Sequence, residues 1–154
     1  MASLHARDAR RLMAEREDRL QRLAGYPDVV ASAARGASQR STPAGEWTPE
    51  QVVRHLIAVD LQVHQRRLRD LAAEDDPIWS WQEPGPWPDE PTLGLDGVLE
   101  RFASVRGETV AAYRALDNAG WARTGRHATF GELDADGLLG LVVDHDAQHL
   151  GGLA

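Results

Sequence analysis

Residues 138–153 read LLGLVVDHDAQHLGGL, an apolar run broken by two histidines four residues apart. At about 100° per residue on a helix, Leu138 sets a reference direction and Val142 falls roughly 40° from it; His145 and His149 flank it at roughly 20° on either side. Both imidazoles therefore sit in the centre of the stripe that must face other elements. Their Cβ atoms are expected roughly 5–6 Å apart, one turn removed. Buried imidazole nitrogens need partners, and a pair at this spacing can share one metal ion at about 2.0–2.1 Å each. The segment reads as a helix over about residues 134–152, packed in a helical domain.

Outward from this segment, three further helical patterns appear. Leu12, Met13, Leu20 and Leu23 mark a first helix over about 4–24, followed by a turn at Gly25-Tyr26-Pro27 and a short helix over DVVASAARGA, residues 28–37. SQRSTPAGEW is a loop by composition. Thr48, Pro49 and Gln51 supply the N-cap, first position and capping box of a second helix, which can run uninterrupted to about residue 74. A third, over about 94–117, carries Leu95, Val98, Leu99, Phe102, Val105, Thr109, Tyr113 and Leu116 on one face. No strand alternation is evident. The expectation is an all-α four-helix bundle forming one domain over residues 1–154. Between helices two and three lies DDPIWSWQEPGPWPDEP, residues 75–91, with five of the eight prolines and three of the five tryptophans. A connection this long reads as a flap sealing the bundle, as a lid or pocket wall, or as both.

Composition narrows the function. The 154-residue chain carries a formal net charge of −7, against nucleic acid as a partner. With no cysteine there is no disulfide, thiolate zinc site or cysteine nucleophile. Any transition-metal site must use His, Asp, Glu or backbone oxygen. MASLHARDARRLMAERED has no apolar core, and no stretch approaches the ~20 apolar residues of a membrane span. A soluble, cytoplasmic protein without membrane contact is expected.

A third histidine bears on the pair. His55 lies on helix two, at the edge of the face carrying Val52, Val59 and Val63. Alone it would read as a surface histidine; if helices two and four are neighbours, it completes a three-nitrogen set with His145 and His149. Three neutral ligands leave positions open for water or substrate, as at a catalytic zinc ion. HDAQH departs from the HExxH of zinc peptidases, because Asp146 stands where the longer Glu is required. Asp60 and Asp146 read as exposed carboxylates, or alternatively as partners for imidazole N–H groups. Arg66, on roughly the face of His55 and about 16 Å along the axis, either snorkels or pairs with an acidic neighbour, the commoner fate, or meets an anionic group. His5 and His64 read as solvated. His127 lies in the turn before the last helix.

Four stretches in this order, EWTPEQVVRHL, RRLRDLAAEDDPIWSWQEPGPW, GWARTGRHATFG and VVDHDAQHL, make the chain from about Trp47 to Leu150 resemble the DinB/YfiT-like superfamily of metal-binding four-helix bundles. The resemblance implies a metal triad of His55, His145 and His149, a divalent ion (zinc first, nickel as the alternative) and a homodimer. It also implies activities that transfer low-molecular-weight thiols to electrophiles or use them in isomerisation, hence a thiol cosubstrate. Relatives often carry acidic residues at the positions of Ala58 and Asp60; here only Asp60 is acidic. The leading expectation is a metal-dependent thiol S-transferase or hydrolase acting on a small molecule. The alternatives are a non-catalytic metal- or small-ligand-binding module, and a structural dimerising bundle whose histidines form a hydrogen-bonded network.

Overall fold

A computed structural model of the chain describes residues 4–88 and 93–154. The last residues of the Pro/Trp-rich connection, 89–91, lie outside these, as do residues 1–3. Helix α1 spans Leu4–Ala37, α2 Pro49–Val59, α3 Gln65–Ala73, α4 Leu95–Arg114, α5 Asn118–Ala122 and α6 Ala135–Gly152. The long helices pack as a bundle, α1 against α4 and α6, and α2 against α4 and α1. One buried cluster holds Leu23, Leu68, Tyr113, Leu139 and Val142; a second holds Val30, Val53, Ile57, Phe102 and Val105.

Three expectations change. The first helix does not stop at Gly25-Tyr26-Pro27 but continues through Pro27 to Ala37. A proline inside a helix normally strands the carbonyl four residues earlier. Here that carbonyl, Leu23, receives Arg106 Nη1 at 3.5 Å, and the neighbouring Tyr26 hydroxyl donates to the Asp146 carbonyl at 2.8 Å. Arg106 thus replaces the missing helical donor, and the Tyr26 bond ties this part of the first helix to the last.

Nor is the second helix uninterrupted. Its start is as expected: Thr48 Oγ1 accepts from Gln51 N at 3.2 Å, and Thr48 N donates to Gln51 Oε1 at 2.9 Å. Residues Asp60–His64, however, form a π turn between α2 and α3. One extra residue per turn shifts the inward face of everything downstream by one position.

The fold is also not all-α. Beside the bundle lies a small sheet of β1 (Ile78–Trp79), β2 (Thr124–His127) and β3 (Gly131–Asp134). Strands β1 and β2 are parallel, with Ile78 opposite Arg126 and Trp79 opposite His127; β2 and β3 form an antiparallel hairpin. Gly131, at φ +74°, closes that hairpin in the left-handed region that glycine adopts freely. The strands are too short for a periodic signal, and β1 is buried in the proline-rich connection.

The sheet fixes the connection in place. Arg126 N donates to Pro77 O at 2.8 Å and Ala128 N to Trp79 O at 2.8 Å, while the Trp79 indole donates to Asp70 Oδ2 at 3.0 Å. At its other end Trp87 N donates to Arg54 O at 3.0 Å. Tethered at Pro77–Trp79 and at Trp87, the segment lies against α3 and α2. No helix among the described residues is long and apolar enough to cross a membrane.

Candidate metal centre

Helix α2 delivers His55, fully buried, and α6 delivers His145 and His149 one turn apart. His149 Nε2 lies 3.1 Å from His55 Nε2 and 3.1 Å from His145 Nε2. The three histidines singled out from the sequence thus meet at one point. The tethered connection adds a fourth group: Glu83 Oε1 stands 3.2 Å from His55 Nε2. One ligand atom from each of His55, Glu83, His145 and His149 lies within 4.8 Å of all the others.

The protonation of the cluster follows from its contacts. His55 Nδ1 is 2.6 Å from the Pro84 carbonyl, which can only accept, so Nδ1 carries a proton. In the neutral ring, Nε2 is then a lone pair aimed at the Glu83 carboxylate, itself an acceptor. Burial, reinforced by the neighbouring imidazoles, pushes His145 down to about 3 and His149 down to about 4. Both are therefore neutral near pH 7. A proton on His149 Nε2 could satisfy one of its two neighbours but not both, and would leave the Glu83–His55 contact unmet. A divalent cation satisfies all four acceptors at once. Separations of 3.1–3.2 Å fit adjacent ligands about 2.0–2.1 Å from a common ion, which stand roughly 2.9–3.4 Å apart. The donor set fits a metal of the zinc or nickel type, since three imidazoles and one carboxylate suit a borderline ion.

Around this point the π turn rearranges the wall. Eleven α-helical steps from His55 would bring Arg66 inward; the extra residue brings Arg67 and His64 instead, and leaves Arg66 exposed. His64 is buried, contrary to the expectation of a solvated ring, and lies edge-on to His145 with centroids 5.7 Å apart. Burial holds it down to about 4. A cavity of about 210 Å³ opens beside the cluster, with His64, Arg67, Glu83 and His145 among its lining and Val63, Leu141, Trp81 and Phe130 as apolar walls. His127 is buried next to Phe130, and only His5 is exposed as expected.

Asp60 and Asp146 are neither exposed carboxylates nor imidazole partners. Both are buried and grip Arg106: Nε and Nη2 reach Asp60 at 2.9 and 3.0 Å, Nη1 and Nη2 reach Asp146 at 2.7 and 2.8 Å. Burial opposes the charge on Asp60, but the Arg106 cation and its hydrogen bonds outweigh it and hold Asp60 below its ordinary value. Asp146 goes the other way, pushed up to about 6 by burial and by the Asp60 charge sharing its arginine.

Sequence reasoning missed Glu83 and Arg106. Arg106 was readable: about 40° from Phe102 and 20° from Tyr113, it stands inside the apolar stripe of helix three. Glu83 carries no periodic signal.

The DinB superfamily model matches residues 11–153. No curated protein matches the chain. Among solved structures, the chain is similar to YfiT from Bacillus subtilis, described as a probable metal-dependent hydrolase with an unusual four-helix bundle topology. That likeness has a TM-score of 0.68 at 21% identity, over 99% of this chain and 86% of the other, and carries the fold. With the family model spanning all but the chain's ends, the protein belongs to the DinB superfamily.

Proposed function

We propose that the protein is a metal-dependent hydrolase of a small molecule, with a divalent ion, zinc foremost, held by His55, His145 and His149. The observation that carries this reading is the convergence of four acceptor atoms, one of them a carboxylate, beside a cavity. When bound, such an ion supplies a Lewis acid that makes water or an exogenous thiol nucleophilic near neutral pH. The residues around it have separable tasks. Pro84 O fixes the His55 tautomer and ring orientation, as outer partners of metal ligands do. Glu83, its side chain 47% exposed on the connection, is the one member able to leave the ligand set, and is placed to take the nucleophile's proton. Trp81 and Phe130 give the cavity apolar walls. A low-molecular-weight thiol would occupy the same position as water, so thiol transfer is the variant of this reading to screen in parallel. The homodimer implied by the family resemblance is also a proposal, to be tested by sedimentation equilibrium.

The deciding experiment is elemental analysis of tag-free protein purified without nickel resin, beside the His145→Ala/His149→Ala double variant. About one divalent ion per chain, lost in the variant, supports the reading. It justifies a screen of ester, amide and thiol-transfer substrates, in which His149→Ala should abolish turnover. No metal in the wild type, even after incubation with zinc, overturns it.

A further inference from the structure

Arg67 is 9% exposed, yet among the described residues no carboxylate forms an ion pair with it. Asp70, one turn further along α3, is taken by the Trp79 indole, and Glu83 stands against His55. Within hydrogen-bond distance the guanidinium meets the His127 ring, with Nη2 at 3.2 Å from Nε2. That contact cannot be a hydrogen bond between the two as they stand. His127 Nδ1 accepts the backbone N–H of Thr129 at 3.0 Å and of Phe130 at 3.4 Å, so the neutral ring carries its proton on Nε2. Burial, then the Arg67 charge, lowers the His127 pKa, so the ring is neutral. Two N–H donors thus face one another at 3.2 Å, both buried, with no acceptor between them. His64 Nε2 is buried on the same wall, also with no partner among the described residues. Donors buried without acceptors cost free energy, and a fold retains such a group readily where a ligand completes it.

We infer that Arg67 and His127 form an oxyanion-binding subsite that takes the carboxylate of a small apolar substrate, whose reacting end lies at the His55/Glu83/His145/His149 cluster. The inference rests on the metal reading for the position of the reacting end, but not for the anion site itself. One oxygen can accept from both nitrogens, since donors 3.2 Å apart lie within reach of a common acceptor at about 2.9 Å. Arg67 and the cluster residues Glu83 and His145 line the same cavity, whose other walls include Val63, Leu141, Trp81 and Phe130. A substrate filling it is therefore acidic where it meets Arg67 and apolar where it meets these walls. It is small, because about 210 Å³ is roughly seven times the ~30 Å³ share of a liquid water.

The test uses isothermal titration calorimetry of zinc-loaded and metal-free protein with benzoate, phenylacetate and 3-phenylpropanoate, their amides, and inorganic phosphate. At least one carboxylate should bind tenfold or more tighter than its own amide, in both metal states. Arg67→Met and Arg67→Gln should erase that preference without changing the zinc content. Arg67→Met should also melt at or above the wild-type temperature, because it removes a buried charge with no carboxylate partner. Equal binding of acids and amides, no binding of any acid, tighter binding of phosphate than of every acid, or a Tm fall of more than a few degrees in both variants overturns the proposal. If zinc fails to bind but the acid preference persists, the hydrolase reading falls and the anion site stands.

Discussion

Arg106 holds two carboxylates with one guanidinium, so its buried cluster carries a net negative charge. Removing the cation would leave Asp60 and Asp146 facing each other without compensation. Arg106→Met is expected to cost about 3–5 kcal/mol, the scale for breaking a buried ion pair, measured by urea unfolding. Asp60 gives the same interaction a pH signature. Its folded pKa is lowered relative to the unfolded value of about 3.9. The unfolded state therefore binds more protons as the pH falls through that window. The Asp60 contribution is fully present above about pH 4 and is lost as acid takes the pH through the folded value. The stability difference between wild type and Asp60→Asn should widen from pH 7 to 5, because Asp146, held up to about 6 partly by the Asp60 charge, takes up its proton there in the wild type, and should shrink below about pH 4. The variant comparison matters because His64, held down to about 4 by burial, also favours the unfolded state in mild acid. At this scale the histidine triad was legible because helical spacing alone aims His145 and His149 inward. Asp60 and Asp146 were misread because their burial depends on Arg106, on another helix.

At the scale of elements, the π turn and the sheet decide what surrounds the cluster. The turn at Asp60–His64 gives no periodic sign in the sequence, since each half of the helix keeps its own 3.6-residue pattern. Counting straight through it from His55 therefore lands on Arg66 rather than on Arg67. The helix starts, by contrast, were legible because Thr48 and Gln51 carry their chemistry locally. The sheet matters through one contact. A Cβ on Gly125 would meet the Trp79 ring at 2.5 Å and the Pro77 carbonyl at 2.9 Å. Gly125→Ala must therefore push β1 away from β2, at a cost of about 1–3 kcal/mol for overpacking. The same displacement loosens the segment that presents Glu83 and Pro84 to His55. Zinc affinity should fall in this variant although no ligand has changed. Wild-type affinity in Gly125→Ala would mean that the connection does not position the cluster.

For the whole molecule, the cluster joins three pieces of chain far apart in sequence: α2, the Pro/Trp-rich connection and α6. An ion bound by all three binds only the folded state, so it must raise stability by mass action. At a hundredfold excess over Kd the gain is about 2.7 kcal/mol. For a domain of this length, each kcal/mol moves Tm by roughly 2–4 °C, so zinc should raise the melting temperature by roughly 5–10 °C and EDTA should reverse the rise. His145→Ala/His149→Ala should show neither effect. This separates the metal site from a structural hydrogen-bonded network of the same histidines. Such a network would be complete without metal, so zinc and chelator would leave its melting curve unchanged, whereas removing two of its histidines would lower it. The contacts favour the first outcome. Without a cation, His149 Nε2 has two imidazole nitrogens at 3.1 Å and one proton at most to share between them, while His55 Nε2 stands 3.2 Å from the Glu83 carboxylate. A rise in Tm therefore reports an ion that satisfies these atoms together and bridges the three segments.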